Sequence, residues 1–301
     1  MSTQHYEISR ILPDAMQTGE SPLWQPQEGA LYWVDIPAKT VHRWHAASGA
    51  HSSWLMSSDA ACIALAARGG LIVALRTGFV HLDTTSGAIT EIASVPYDTS
   101  RVRCNDGKCD AKGRFWVGTM YEPRDQQLGE MLCLERGKVR TVWSGGMTVA
   151  NGLVFSDDHS LLYHADTTSH TIRRFPLDFE AGTVDVAQMS VLKTFSSDKQ
   201  NNYGGRPDGA ALDVDGNYWC AMFEGGRILC LSPSGEILRD IALPVRCPTM
   251  LAFGGDDLRT LYITSASHGR SASELAQYPW SGCVLALRVD VAGKFEPSYL
   301  D

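Results

Sequence analysis

Short runs of apolar and aromatic residues, separated by Gly, Asp, Ser and Pro, follow one another along the whole chain. Runs of this kind, rich in Val, Ile, Leu, Tyr and Trp, predict β-strands joined by turns. Helical periodicity is almost absent, and the best helical candidate, residues 271–277, is only about two turns long. The pattern therefore predicts an all-β protein.

A unit made of a turn, an apolar-aromatic strand, a polar gap and a second strand recurs six times. The anchor residues of its first strands are Tyr32, Ile72, Phe115, Tyr163, Tyr218 and Tyr262. Successive anchors are 40, 43, 48, 55 and 44 residues apart. Periods of about 40 to 50 residues with several strands per unit are typical of β-propellers. We expect a six-bladed β-propeller, with four-stranded antiparallel blades around a central channel, that forms a single domain over residues 1–301.

The unequal spacing of the repeats indicates insertions, and the N-terminal segment indicates how the ring closes. The longer separations place one insertion at residues 190–206 and another at 266–281. Residues 6–12 form a strand-like segment before the first unit. We expect this segment to pair with the last blade, because pairing removes an exposed sheet edge.

Composition excludes several classes of protein. Lys and Arg total 26 against 34 Asp and Glu, a net charge of −8, and neither sign forms a long run. This balance argues against a nucleic-acid or polybasic membrane surface. No apolar run reaches the roughly 18 residues of a membrane span, and the N-terminus has no signal-peptide pattern, so we expect a cytoplasmic protein. The eight cysteines form no CxxC pair, which predicts reduced, buried thiols rather than disulfides or zinc ligands.

A polar residue stands ten or twelve positions before the anchor in four of the units: Glu20, Asn105, Asn151 and Asp208. The first strand of each propeller blade lines the axis, so these side chains are expected to meet at one mouth of the channel. Two carboxylates and two amides form an all-oxygen set that suits a hard divalent cation, Ca²⁺ foremost. Asn-Gly and Asp-Gly are also strong turn signals, so this pattern alone leaves a metal site and simple turns both open.

Three basic residues lie close to these positions. Arg103 precedes Asn105 by two, which places both side chains on one face of a strand. Arg103 is then either a donor to a polar ligand or part of a structural salt bridge. Lys108 and Arg114 are expected to be solvated charges. No nucleophile elbow, P-loop, dinucleotide fingerprint or zinc-protease helix is present.

The chain resembles the SMP-30/gluconolactonase/regucalcin-like family. The matching stretches are residues 19–24 (Gly-Glu-Ser-Pro-Leu-Trp), 103–108 (Arg-Cys-Asn-Asp-Gly-Lys), 113–120 (Gly-Arg-Phe-Trp-Val-Gly-Thr-Met), 151–152 (Asn-Gly) and 207–209 (Pro-Asp-Gly). They occur in order along most of the chain. The resemblance implies a six-bladed propeller that hydrolyses sugar lactones with one divalent metal ion, Ca²⁺ first and Zn²⁺, Mn²⁺, Mg²⁺ or Fe²⁺ as further candidates.

The resemblance also implies roles for individual residues. Glu20, Asn151 and Asp208 are implied as metal ligands, Asp208 also as the general base, and Arg103 and Asn105 as substrate-binding residues. Residues 273–279 are similar to bacterial aldonolactonases. One position departs from the family, because some relatives have a second glutamate where this chain has Pro123 after Glu122.

We therefore expect metal-dependent hydrolysis of an aldonolactone to the aldonic acid, with a small-molecule sugar lactone as partner and neither nucleic acid nor membrane. Two alternatives remain at this point: an esterase or phosphotriesterase that uses the same metal site, and a non-catalytic calcium-binding propeller. The sequence predicts neither the particular lactone nor the oligomeric state.

Overall fold

The computed structural model describes residues 6–201 and 203–301, and nearly all regular structure in them is β. The strands form six antiparallel sheets, arranged as a six-bladed β-propeller. Blade 1 consists of β2 (Gly19–Gln25), β3 (Ala30–Asp35), β4 (Thr40–His45) and β5 (His51–Leu55). Blade 2 consists of β6 (Ala60–Leu65), β7 (Leu71–Leu75), β8 (Gly78–Leu82) and β9 (Ile89–Ser94). Blade 3 consists of β10 (Val102–Cys109), β11 (Phe115–Tyr121), β12 (Glu130–Glu135) and β13 (Lys138–Ser144). The predicted fold class is confirmed.

The remaining blades complete the ring. Blade 4 consists of β14 (Ala150–Phe155), β15 (Leu161–Asp166), β16 (Thr171–Asp178) and β18 (Ser190–Thr194), with the short β17 (Thr183–Val184) also paired to β16. Blade 5 consists of β19 (Arg206–Leu212), β20 (Tyr218–Phe223), β21 (Arg227–Leu231) and β22 (Ile237–Ala242). Blade 6 consists of β23 (Pro248–Gly254), β24 (Thr260–Ser265), β25 (Leu285–Arg288) and β1 (Ile8–Arg10). The helices are α1 (Ala272–Gln277) and two single 3₁₀ turns, Thr167–Ser169 and Val186–Gln188.

The N-terminal strand closes the ring, as the sequence predicts. β1 pairs antiparallel with β25, with Ile8 opposite Leu287, so the outer strand of blade 6 comes from the other end of the chain. The inner strands contact their neighbours in the cyclic order β2, β6, β10, β14, β19, β23 and back to β2. Each inner strand of the described chain therefore contacts an inner strand on both of its sides.

Apolar side chains fill the spaces between blades. Each hydrophobic cluster is shared by two neighbouring blades; Val34 of blade 1 packs with Val73 of blade 2, for example. All eight cysteines are free and buried, in agreement with the prediction of reduced core thiols. Burial of a Val or Leu side chain contributes about 1.5–3 kcal/mol, so these inter-blade layers hold the ring together.

A register shift interrupts the pairing of every inner strand with its blade neighbour. The shifts fall after Glu20, Ala60, Cys104, Asn151, Pro207 and Pro248. A β-bulge of this kind releases backbone groups from the ladder and re-aims side chains. Side chains of the bulges then bond to the next blade: Ser21 Oγ accepts from the Ile63 amide (2.9 Å), and Asp106 Oδ2 accepts from the Leu153 amide (3.0 Å).

The prediction that Lys108 and Arg114 are solvated is wrong, because both side chains are buried. Arg114 is 2% exposed, and its Nε donates to Asp110 Oδ2 at 2.6 Å. Lys108 is 8% exposed and pairs with Glu296 at 2.5 Å, at the end of β10 remote from Asn105. Each charge is taken out of water only because a carboxylate accompanies it.

The first insertion is shorter than predicted. Residues 190–194 are not part of it, since β18 pairs with β16 as the outer strand of blade 4. The excess length comes from the β17 excursion and from the segment 195–205, which leads to β19. The second insertion, at 266–281, lies between β24 and β25 and contains α1. No helix in the described part of the chain is both long and apolar enough to cross a membrane.

Candidate functional site

The starts of four inner strands meet at one mouth of the propeller. Glu20, Asn105, Asn151 and Asp208 are each less than a tenth exposed and line a common cavity of about 570 Å³. Arg103 lines the same cavity. These residues come from blades 1, 3, 4 and 5, and each lies beside the bulge of its strand. The bulge turns the polar side chain into the cavity while the strand continues into the core.

A chain of hydrogen bonds crosses three blades beneath this cavity. Arg103 Nη1 donates to Asn105 Oδ1 (2.7 Å), and Asn105 Nδ2 donates to Asn151 Oδ1 (2.8 Å). Asn151 Nδ2 donates to Thr167 Oγ1 (2.7 Å), and the Thr167 hydroxyl donates to the Pro207 carbonyl oxygen (2.8 Å). Both amides are therefore held in one orientation, and the chain ends on the residue before Asp208.

The bulge at Asn151 is built for this position. Gly152 has φ +60°, and a Cβ placed on it would lie 2.2 Å from the Tyr218 hydroxyl oxygen. That hydroxyl donates to the Gly152 carbonyl oxygen at 2.8 Å. Only glycine permits both the left-handed backbone and the close approach, so Asn-Gly here serves a bulge rather than a hairpin turn.

Two carboxylates of the cavity are strongly perturbed. Burial raises the pKa of Glu20, and the negative charges of Asp208 and Asp106 raise it further. Burial also raises the pKa of Asp208, with Asp106 adding to the effect, while Arg206 and Arg103 oppose it. The Ser21 amide donates to Glu20 Oε2 at 2.9 Å. Among the residues that the structure describes, neither carboxylate forms an ion pair within 4 Å.

This donor set fits a hard divalent cation. A cation between Glu20 and Asp208 would offset two buried negative charges that otherwise disfavour each other. Asn151 Oδ1 would add a neutral oxygen ligand, and Ca²⁺, Mg²⁺ and Mn²⁺ prefer oxygen ligands. No group of three His, Cys, Asp or Glu side chains with metal-binding spacing occurs in residues 6–201 and 203–301. The ligands would therefore be two carboxylates, amide oxygen and solvent.

Except for Glu122, sequence reasoning missed a second set of residues around the cavity. Five of them directly follow the second strand of a blade: Ile36, Glu122, Thr167, Glu224 and Ala266. The repeat itself could have indicated them. The second strand of each blade runs antiparallel to the inner strand, so the residue that follows it lies at the same mouth of the channel as the start of the inner strand. Arg206 and Arg270 complete the wall between blades 5 and 6.

Glu122 belongs to an ion-pair network on the opposite wall. Arg76 donates to both of its carboxylate oxygens at 2.8 Å and also bonds to Asp59. Arg103 Nε lies 3.7 Å from Glu122. The departure from the family at Pro123 falls on an exposed residue beside Glu122, whereas Glu122 itself lines the cavity.

Comparison with known proteins gives the family. The model of the SMP-30/gluconolactonase/LRE-like region matches residues 18–267, which include every cavity residue of the four inner strands. The chain belongs to this family. This SMP-30/gluconolactonase/LRE-like protein is 46% identical over 281 residues to a 6-deoxy-6-sulfogluconolactonase of Pseudomonas putida, covering 93% of this chain and 94% of that protein.

Other relatives of this family member carry a different name. It is 33% identical over 289 residues to regucalcin of Gallus gallus, covering 93% and 94% of the two chains. The crystal structure of a regucalcin from Agrobacterium tumefaciens, described as a calcium-binding protein, superposes with a TM-score of 0.91 at 26% identity, covering 98% of this chain and 97% of that one.

Proposed function

We propose that the protein hydrolyses a sugar lactone to the corresponding aldonic acid with the aid of one divalent cation held by Glu20, Asn151 and Asp208. The observation that carries the proposal is the pair of buried carboxylates without ion-pair partners among the described residues, in a cavity that the guanidinium of Arg103 and the amide of Asn105 also line. A lactonase among the relatives at 46% identity supports the reaction class, and a calcium-binding protein of the same fold supports the cation.

When bound, the cation would polarise the lactone carbonyl and stabilise the negative charge that develops on its oxygen. Arg103 would bind oxygens of the sugar through its guanidinium, while Asn105 is fixed by Arg103 and Asn151 on the same wall. Fixed donors of this kind reduce the entropic cost of reaching the reacting geometry. The burial of the cavity also strengthens each of these electrostatic contacts.

Asp208 is the base in this scheme. Its carboxylate lines the cavity and accepts a proton from the water that attacks the carbonyl carbon. The C–O bond to the ring oxygen then breaks, and the proton returns from Asp208 to that oxygen. One water is consumed, and the product is the open-chain hydroxy acid.

Among sugar lactones, we propose that a sulfonated hexonolactone is the first candidate substrate. The support is the sulfogluconolactonase of Pseudomonas putida, which matches this chain over nearly its whole length. Ca²⁺ is the first candidate ion on the chemistry of the donor set, with Mn²⁺, Mg²⁺, Zn²⁺ and Fe²⁺ as further candidates.

The decisive experiment is a pH-stat assay of several aldonolactones, including 6-deoxy-6-sulfogluconolactone, against a series of divalent ions. Asp208→Ala should lower turnover by about 10²- to 10⁴-fold, the range for loss of a general base, with the fold intact. Asp215→Asn is the matched control, because Asp215 is an exposed aspartate in a turn of the same blade. Near-wild-type turnover of Asp208→Ala at saturating metal would contradict the mechanism.

A stability measurement separates catalysis from a structural ion. Without metal, Asp208→Asn should raise the free energy of unfolding by about 1–3 kcal/mol, since it removes a buried charge beside Glu20 and Asp106. Added cation should stabilise the wild type but not this variant. Tight cation binding by the wild type with no hydrolysis of any lactone would favour a non-catalytic calcium-binding propeller. Faster hydrolysis of aryl esters or phosphotriesters than of lactones would favour the esterase alternative.

A further inference from the structure

The cavity wall between blades 5 and 6 is organised around Glu224. Its carboxylate accepts from the Tyr203 hydroxyl (2.9 Å) and pairs with Lys199 (3.2 Å), Arg206 (3.4 Å) and Arg270 (3.2 Å). Burial alone would raise the pKa of Glu224, but the charge of Arg206 and the bonds from Tyr203, Lys199 and Arg270 lower it to about 2. Glu224 is therefore ionised at any physiological pH, and it fixes the positions of several cations at once.

The two insertions meet on this residue. Lys199 and Tyr203 belong to the segment before β19, and Arg270 belongs to the segment that contains α1. Glu224 itself has φ +60°, a strained conformation for a residue with a side chain. Strain of this kind persists only where the surroundings enforce it, and it places the carboxylate in the cavity wall between the two insertions.

Positive charge exceeds negative charge on this wall. We define the cationic wall as Arg206 and Arg270, which line the cavity and pair with Glu224; Lys199 also pairs with Glu224, from outside the cavity lining. Three cations pair with Glu224, namely Lys199, Arg206 and Arg270, and two carboxylates accompany them, Glu224 and Glu274, the second bonded to Arg270 at 2.6 and 2.8 Å. The negative charges of Glu20 and Asp208 would not neutralise this positive charge, because the proposed divalent cation would offset them.

The described part of the protein does not provide Arg206 with a close carboxylate partner. Its nearest carboxylate oxygen is 3.4 Å away, longer than the roughly 2.7–2.9 Å of a good charge-assisted hydrogen bond. Its Nε is buried and has no hydrogen-bond partner. The Arg206 side chain as a whole is 22% exposed and lines the cavity, so a ligand bound there can reach its positive charge.

The position of Arg206 relative to Asp208 is defined by the strand. One residue, Pro207, separates them on β19, so their Cα atoms are at most about 7 Å apart. Arg206, Arg270, Glu224 and Asp208 all line the same cavity. A six-carbon lactone with its ester at Asp208 would therefore bring its far end to the cationic wall.

We propose that the cationic wall binds an anionic substituent on the lactone, at the carbon remote from the ester, and so selects acidic sugar lactones over neutral ones. The inference rests on the proposed lactonase function. A sulfonate, a phosphate and a carboxylate share the required chemistry, since each offers several oxygen acceptors to the planar donor fork of arginine.

The alternative role of this network is purely structural: ion pairs that hold the insertions in place. Arg227 gives a matched control for it. Arg227 Nε donates to the carbonyl oxygen of Gly204 (3.1 Å) in the first insertion and pairs with Asp240, yet it does not line the cavity. A variant at Arg227 loosens the insertion without removing a charge from the cavity.

The experiment compares Arg206→Gln, Arg270→Gln and Arg227→Gln on gluconolactone and on its 6-sulfo, 6-phospho and 6-carboxyl analogues. Each of the first two variants should lose about 10- to 100-fold in kcat/KM on the anionic lactones, mainly through KM, as for one lost hydrogen bond to a charged group. The loss of the Arg206 charge beside Asp208 acts on every lactone alike, so the quantity compared is the ratio of kcat/KM on an anionic lactone to kcat/KM on gluconolactone, which should fall by about tenfold or more in both variants. Arg227→Gln should stay close to the wild type on every substrate. The wild-type kcat/KM should fall with added salt for the anionic lactones only.

Three outcomes would overturn the proposal. One is equal losses on neutral and anionic lactones in Arg206→Gln and Arg270→Gln. Another is an equal effect of Arg227→Gln. The third is a wild-type enzyme that hydrolyses lactones but does not prefer the anionic ones; this leaves the lactonase function intact. Failure of the lactonase function has a different signature, which is no hydrolysis of any lactone. In that case calorimetric titration with 6-deoxy-6-sulfogluconate still tests the wall, because weaker binding to Arg206→Gln than to the wild type would support it and equal binding would overturn it.

Discussion

Thr167 connects the stability of the ring to the chemistry of the site. Its hydroxyl accepts from Asn151 Nδ2 and donates to the Pro207 carbonyl oxygen, and it is 7% exposed. Thr167→Val keeps the shape of the side chain but leaves both partners without this bond. A buried polar group left unsatisfied costs about 1–3 kcal/mol, so for two such groups we expect the free energy of unfolding to fall by about 2–6 kcal/mol.

The same substitution should weaken the metal site. Asn151 loses the bond that orients its amide, and loss of a residue that orients a ligand typically costs 10- to 100-fold in metal affinity or activity, so we expect a loss of about that size. Urea unfolding without metal gives the stability change, and calorimetric titration with Ca²⁺ or Mn²⁺ gives the affinity. Thr167→Ser, which keeps the hydroxyl, should recover both to within about threefold in affinity and 1 kcal/mol in stability.

Two results would refute this reasoning. Thr167→Val that binds metal and turns over lactone like the wild type would show that Asn151 does not depend on the bond from Thr167. A loss of stability with unchanged metal affinity, in both Thr167→Val and Thr167→Ser, would show a packing effect with no consequence for the site.

Two further predictions concern the scaffold. Asp110→Ala should lower the free energy of unfolding by about 3–5 kcal/mol, because it leaves the Arg114 guanidinium buried without its carboxylate. The control Glu180→Ala removes one partner of an exposed ion pair and should leave the urea midpoint unchanged. Equal effects of the two substitutions would contradict the argument from the buried charge. Burial lowers the pKa of His42 to about 4, so the unfolded chain takes up a proton below about pH 6.5 before the folded chain does. Wild-type stability should therefore fall by up to about 3 kcal/mol more than that of His42→Phe between pH 6.5 and pH 4, as measured by urea unfolding, and parallel pH profiles would exclude this linkage.

The spacing of the repeats was sufficient to predict the blades and the ring closure. Strand periodicity and turn residues are local properties, so the six anchors and the position of residues 6–12 could be read directly. The same spacing indicated that Glu20, Asn105, Asn151 and Asp208 stand at equivalent strand starts. Their assignment as ligands and base came from the family resemblance, and it stays a prediction that the proposed experiments test.

Interactions between distant segments were beyond local reasoning. The outer strand β18 has a single buried residue, Leu192, so its pattern could not be told from an insertion. Arg114 looked like a surface charge although Asp110, four residues away in the same blade, accepts from it; the Phe179 carbonyl oxygen, which also accepts from it, belongs to blade 4 and meets it only after blades 3 and 4 pack. The roles of Thr167 and Glu224 depend on partners in other blades in the same way.

The sequence by itself determined the blade count, the strand that closes the ring and the polar residues at the starts of the inner strands, because each of these follows from alternation and turn chemistry over a few residues. Only the tertiary structure decided which way those side chains face, since that depends on a bulge in every inner strand and on bonds to the next blade. It also decided that the two insertions join at Glu224, beside the cationic wall. Residues 224 and 270 are far apart in the chain, and only the packing of blades 5 and 6 brings their charges into one cavity.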